Sequence, residues 1–232
     1  MRSRACASSN LDSAAYKPPP HTGLELLYVD DWLLVVSKPA GLLTQPGRGE
    51  DKADCLLSRV QQAYPDALIV HRLDRDTSGL LVLGRGKQPH RELSILFAHR
   101  QVKKRYIAVV AGKLEQESGE INLPLALDWP NRPLHQVNHD SGKPSCTRYQ
   151  MLSYDAERNT SRVELEPVTG RSHQLRVHMQ AIGHPIVGDE LYAPREIRQK
   201  AERLLLHAAT LAFRHPHNDS SAELSFLSPA PF

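Results

Sequence analysis

Residues His71 to Arg85, HRLDRDTSGLLVLGR, constrain the fold more than any other stretch of the chain. Four charged side chains (Arg72, Asp74, Arg75 and Asp76) fall within five positions, and Thr77-Ser78-Gly79 then turns the chain into the wholly apolar run Leu80 to Leu83. Such a run, closed by Gly84 and Gly86, is expected to form a short strand buried on both faces. It places a carboxylate flanked by guanidiniums in a loop leading into the core, and loops held by a rigid strand are where catalytic groups concentrate. The competing expectation is a surface loop whose Arg and Asp side chains pair with each other, a contact worth little in solvent.

Around this stretch, Leu24 to Val29 and Leu33 to Ser37 read as strands about a turn at Asp30-Asp31. Leu56, Leu57, Val60 and Ala63 have helical spacing, with Asp54 the expected cap and Pro65 the stop. A second helix is expected from Pro89, burying Leu93, Leu96 and Phe97, and its end carries the basic cluster His99, Arg100, Lys103, Lys104 and Arg105. Strands follow at Tyr106 to Ala111, Thr147 to Ser153 and Ser161 to Glu166, with Val163 and Leu165 inward and Arg162, Glu164 and Glu166 outward. A third helix is expected from Ser172, as cap, to Ile182, with Leu175, Met179 and Ile182 inward and Gly183 at its end. A fourth starts near Pro194, and Leu205 to Phe213 pairs with Ala222 to Leu227. Residues 113–145, with prolines at 124, 130, 133 and 144, resist assignment. Residues 1–23 end in Lys17-Pro18-Pro19-Pro20 and are expected to be a loose arm, leaving 24–232 as one α+β domain.

Composition narrows the class. Hydrophobic residues at 40% and charged residues at 24% fit an ordinary globular protein. Cys6, Cys55 and Cys146 are far apart and form no CxxC, which argues against a disulfide framework or zinc knuckle and fits a reducing cytoplasm. No apolar run approaches membrane-spanning length. The net charge of +3 is mild, so any nucleic-acid footprint must come from local clustering.

HRLDRDTSG resembles the active-site motif of the pseudouridine synthases of the RluA family. DDWLLVVSKPAGL (30–42), KKRYIAVVAG (103–112), PVTGRSHQLRVHMQAIGHPIVGDELY (167–192) and RLLLHAATLAFRHP (203–216) follow in the family's order. The resemblance implies the family's α+β catalytic fold, a mixed, mainly antiparallel sheet flanked by helices and loops. Residues 1–23 leave no room for the ribosomal-protein-S4-type domain that many members carry. DWPNRP (128–133) and SGKPSCTRY (141–149) are similar to members of dual specificity. The implied partners are therefore a tRNA anticodon stem-loop and a hairpin of 23S ribosomal RNA, bound by a monomer; a member acting on ribosomal RNA alone is the alternative.

The implied reaction breaks the N1–C1′ bond of uridine, turns the uracil over and rejoins it through C5, so neither a redox cofactor nor a metal is required. It needs a carboxylate beside C1′, where charge builds on the sugar. The resemblance assigns this to Asp74, by covalent attack or by removal of a sugar proton to give a glycal. Asp76 is the competing candidate and reads more readily as a loop brace. Such a carboxylate wants a cationic partner, and position in GRSHQLRVH implies Arg176. By spacing alone, His173, Arg176 and Gln180 share a helix face that is usually solvated, whereas Arg171, Ser172 and His173 crowd a helix N-terminus, a natural anion site. A metal site on His173, His178 and His184 fails the i,i+4 spacing.

The resemblance also supplies Tyr106, whose ring can stack on uracil and whose hydroxyl is available for proton transfer at C5. Arg72 would fill the space of a flipped uridine. Arg171, His173 and Lys38, the last in SKPAGL, are further candidate substrate-binding residues, although a strand-end lysine is usually just solvated. The cluster His99 to Arg105, with Arg171 and Arg176, is expected to contact phosphates. A carboxylate-based glycoside hydrolase would share the glycosidic chemistry, but it needs a second carboxylate at a set separation. A non-catalytic RNA-binding protein would not be expected to keep HRLD, Tyr106 and Arg176 together.

Overall fold

The computed structural model describes residues 16–217 and 223–232. Its strands are β1 (Glu25–Val29), β2 (Leu33–Lys38), β3 (Ala67–Ile69), β4 (Ser78–Arg85), β5 (Lys103–Ala111), β6 (Ser118–Asn122), β7 (Leu125–Leu127), β8 (His135–Val137), β9 (Cys146–Asp155), β10 (Thr160–Pro167), β11 (Leu206–Arg214) and β12 (Glu223–Leu227). The helices are α1 (Leu56–Gln61), α2 (Lys87–Ala98), α3 (Gln174–Ala181) and α4 (Arg195–Arg198). One sheet runs in the order β1-β2-β4-β11-β5-β10-β9-β6, with β12 also on β11 and β3 also on β4, while β7 and β8 form a separate hairpin. Among the described residues β4 and β11 pair in parallel and the other pairs are antiparallel. This is the expected mixed, mainly antiparallel α+β sheet.

The apolar runs of β2 and β4 are covered on both faces, which is why they lack polar alternation. Leu34, Val36, Leu81 and Leu83 pack with Leu56 and Val60 of α1. Leu33, Val35, Leu80 and Val82 pack with Leu93 of α2 and with Phe213. A third cluster joins Ala108, Val110, Val163 and Leu165 to Leu175 and Met179 of α3. Tyr106 touches both the α1 and the α3 clusters and so stands at the seam between them.

Three expectations are corrected. Cys55, not Asp54, caps α1: its Sγ accepts from Ser58 N at 3.3 Å, and Ser58 Oγ accepts from Cys55 N at 3.0 Å. Asp54 instead pairs with Arg59 at 2.8 Å. Ser172 does not cap α3, because His173 precedes the helix in the left-handed region (φ 55°) and no side chain caps it. Gln174 fastens that entry by accepting from Thr169 Oγ1 (2.7 Å) and Arg171 N (3.0 Å). Within the expected arm, Tyr16 and Pro19 are tied to the domain rather than loose. Tyr16 donates to Asp54 O and accepts from Leu43 N, both at 3.0 Å, and Pro19 O accepts from Arg59 at 2.6 Å. Residues 1–15, and Ala222 of the expected last strand, lie outside the described residues. The proline-rich stretch contains β6, which closes the sheet edge on β9, and the hairpin β7–β8. No helix among the described residues is long and apolar enough to cross a membrane.

Candidate active site

The loop before β4 is pinned on both sides of Asp74. Thr44 Oγ1 donates to Leu73 O at 2.8 Å and accepts from Leu73 N at 3.2 Å. Lys38 Nζ donates to Pro39 O (2.9 Å), Leu42 O (2.7 Å) and Arg75 O (2.9 Å). Thr77 N closes a turn on Asp74 O at 3.2 Å. Downstream, Gly79 has φ +108°, and a Cβ there would lie 2.3 Å from Ala208 O. Only glycine lets β4 meet β11 at this point. Ser78 Oγ bonds His207 Nδ1 across the same junction at 2.8 Å.

Lys38 is therefore neither solvated nor presented to a substrate. It is fully buried, and its three N–H donors are taken by carbonyls that shape the loop. Burial pulls its pKa down to about 7, against the opposing charges of Asp76 and Asp74. Asp76 braces the loop surface through Arg75 (Nε to Oδ1 2.8 Å, Nη2 to Oδ2 3.0 Å).

Asp74 points to α3. Arg176 Nη1 lies 3.4 Å from Asp74 Oδ2, while its Nε and Nη2 grip Asp189 at 2.8 and 2.7 Å. Arg176 is 2% exposed and Asp189 0%, so the solvated face expected from spacing is instead an interior one. Burial acts against the Arg176 charge, but the hydrogen bonds and charge of Asp189, with Asp74 beyond, outweigh it and raise its pKa. A bidentate pair of this kind also fixes the guanidinium plane. Asp189 Oδ1 is oriented by Leu191 N (2.9 Å) and Tyr192 N (3.1 Å).

His173 stands on the other side of Asp74, Nε2 to Oδ2 3.9 Å. Its Nδ1 is 2.6 Å from the Tyr192 hydroxyl, whose oxygen accepts from His135 N at 2.9 Å. Burial depresses the His173 pKa to about 4, so the ring is neutral at pH 7 and its contact with Asp74 is not an ion pair.

These groups line a cleft of about 690 Å³. Arg72, Asp74, Tyr106, Arg171, His173 and Arg176 all lie on its wall, joined by Arg100, Lys103, Lys104 and Arg148, with Asp74 and Glu166 as the acids. The clustering of charge expected from the modest net value is thus local to the cleft. Three members of the expected phosphate-binding set are engaged elsewhere, among them Lys103, which pairs with Glu223 at 3.0 Å. Arg105 is off the cleft and pairs with Glu164 at 3.0 Å, and Arg176 is held by its two aspartates. Burial, and secondarily Asp74, push the Tyr106 hydroxyl above its ordinary pKa, so it is a neutral phenol. His178 (toward Thr147 and Leu123) and His184 (toward Ala111) have separate partners.

Asp189, Tyr192 and Thr44 had no assigned role in the sequence. The available signal for Asp189 was an acid directly after the apolar pair Ile186-Val187 and Gly188. A carboxylate carried into a core must find a cation.

A family model described as RNA pseudouridylate synthase matches residues 32–181. The chain is 49% identical over 217 residues to the dual-specificity RNA pseudouridine synthase RluA of Escherichia coli strain K12, covering 94% of this chain and 98% of the relative. It is 50% identical over 204 residues to the protein of that name from Vibrio parahaemolyticus, covering 87% and 82%. Among solved structures, human RNA pseudouridylate synthase domain containing 1 aligns with a TM-score of 0.76 at 28% identity, covering 93% of this chain and 87% of that one. Motif, fold and full-length similarity agree, and the chain belongs to the RluA family of RNA pseudouridine synthases.

Proposed function

We propose that this protein isomerises uridine to pseudouridine in two structured RNAs, a tRNA anticodon stem-loop and a hairpin of 23S ribosomal RNA, as a cytoplasmic monomer. The observation that carries the assignment of roles is Asp74 on the wall of a basic cleft, 3.4 Å from a guanidinium locked by buried Asp189. The pair of substrates is supported by DWPNRP and SGKPSCTRY and by 49% identity, over nearly the whole length, to a relative described as dual-specificity.

On this reading the C1′ of a flipped uridine lies against Asp74. As N1–C1′ breaks, the bonding pair leaves with the uracil and positive charge grows on the sugar. Asp74 answers that charge by bonding to C1′ or by taking the C2′ proton, which it later returns. The uracil turns and C5 bonds to C1′, displacing Asp74 as the free carboxylate where it had bonded there; the C5 proton is then lost to solvent and N1 takes up a proton, so the base is isomerised with nothing gained or lost overall. Arg176 holds the Asp74 carboxylate in place, and Arg171 and Lys104 meet phosphate. Tyr106, neutral at pH 7, stacks on the base and hydrogen-bonds rather than acting as a phenolate.

Release of tritium from 5-³H-uridine in each RNA tests the reading. Asp74→Asn is expected to lower release by roughly three orders of magnitude or more while RNA affinity stays nearly intact, since the change keeps shape and removes charge. A dead Asp76→Asn with an active Asp74→Asn would move the role to Asp76. Pseudouridine mapping in a strain lacking the gene is expected to show loss in both RNAs; loss in ribosomal RNA alone would restrict the substrate.

A further inference from the structure

We propose that the loop joining β7 and β8 is a stacking platform for an unpaired base of the substrate RNA, with Trp129 as its surface and Arg132 as its support; this rests on the RNA-isomerase reading above. Trp129 is 64% exposed, and with Leu227 it is among the most exposed large apolar side chains of the described residues. The Arg132 guanidinium lies over its ring at 4.0 Å, and Arg132 Nε donates to Trp129 O at 3.3 Å. One face of the indole is thereby backed by a cation, while the side chain as a whole stays largely exposed.

The loop is not a loose tip. Asp128 N bonds Leu134 O (2.9 Å), Asn131 N bonds Asp128 O (3.2 Å) and Leu134 N bonds Asn131 O (3.0 Å), while the Asn131 side chain donates to the Asp128 carboxylate at 2.9 Å. A segment braced at four points holds that ring at the surface in a fixed orientation, as a stacking platform requires.

The hairpin also abuts two residues of the cleft wall, His173 and Arg171. Leu127 pairs with His135, whose N–H is bonded to Tyr192 and whose ring meets His173 at 5.1 Å. On the other side Leu125 pairs with Lys143, and the next carbonyl, Pro144 O, accepts from Arg171 at 3.4 Å. Trp129 is two residues beyond Leu127, within about 7 Å of chain, so one bound molecule can reach both platform and cleft. The neighbouring cations select a polyanion, and every nucleobase offers a face to an indole. Arg132 adds cation–π support and a phosphate contact.

The sequence has two tryptophans, and Trp32 lies elsewhere, stacked on His217. A Trp32→Phe protein therefore reports Trp129 alone. Adding a uridine-containing RNA stem-loop is expected to quench its emission over the same concentrations at which the anisotropy of labelled RNA rises. Trp129→Ala is expected to weaken stem-loop affinity by about five- to a hundred-fold, with Trp129→Phe recovering most of it, and Arg132→Ala to reduce the slope of log K against log salt by about one. RNA binding without quenching, or a Trp129→Ala protein of unchanged affinity, overturns the platform and would fit a protein partner at this surface. Tritium release by the same Trp32→Phe protein reads the isomerase assignment separately: release without quenching defeats only the platform, and quenching without release defeats only the isomerase assignment.

Discussion

Arg72 stands exposed on the cleft wall, and among the described residues no carboxylate ion-pairs with it, whereas its neighbour Arg75 is paired with Asp76. An unpaired guanidinium beside Asp74 suits the flipping role. Arg72→Ala is expected to slow turnover on a stem-loop by about ten- to a hundred-fold, the scale of a base extrusion, and to be largely rescued on RNA whose uridine is already unstacked. Equal loss on both RNAs would assign Arg72 to the chemistry instead. Lys38 acts through the backbone. Lys38→Met keeps its bulk but leaves three carbonyls without their donor, at about 1–3 kcal/mol for each that stays unsatisfied. The expected result is a kcat lowered at least about tenfold with RNA affinity unchanged; a solvated lysine would move neither.

At the scale of elements, the junction of β4 with β11 decides the geometry of the site, because it sets Asp74 beside the strand next to Tyr106. Gly79→Ala would add a Cβ 2.3 Å from Ala208 O and 2.6 Å from Ala208 N at a φ of +108°. Gly86 has a comparable φ, +83°, but open space around its position. Gly86→Ala is expected to cost about 1 kcal/mol, and Gly79→Ala clearly more because the strands must part, with activity lost as Asp74 moves. Thermal unfolding of the two variants checks this, and equal melting temperatures would refute it.

For the whole molecule, acid stability follows from the histidines. Burial is the leading cause of a lowered pKa at His71 (to about 3), His173 (to about 4), His178 and His207. Each folded imidazole therefore refuses a proton that the unfolded chain, at about 6.5, accepts. Between those values the unfolded state binds more protons, so stability is complete above about pH 6.5 and is lost as pH falls toward 4. For His71 and His173 this amounts to about 2 kcal/mol each near pH 5, so each should lower the melting temperature by roughly 4–8 °C between pH 7.5 and 5, with His178 and His207 acting in the same direction. A flat profile over that range would contradict the assignment of neutral buried rings.

Local pattern was enough for β4, because four successive apolar residues between glycines have no face to give to solvent, and for β10, whose alternation marks one buried side. It was enough for the C-terminal end of α3 at Gly183, where a positive φ calls for glycine; the role proposed for Asp74 came from the family resemblance, because the loop by itself reads equally as a surface ion-pair network. Other features needed the tertiary structure. Periodicity says which side of an element is apolar but not what will cover the polar side, so Arg176 read as solvated until Asp189 and Asp74, the latter 102 residues away, enclosed it. Lys38 read as a strand-end lysine because the carbonyl of Arg75 that holds it belongs to a loop 37 residues on. Nothing in β11 itself announces a central strand, since its place between β4 and β5 depends on a glycine in another element. Short strands among prolines, β6 to β8, carry too few residues to show a period, and only their partners define them. The chain thus specifies its buried strands locally, while the charge pair that holds the Asp74 carboxylate exists only once distant segments exclude water from it.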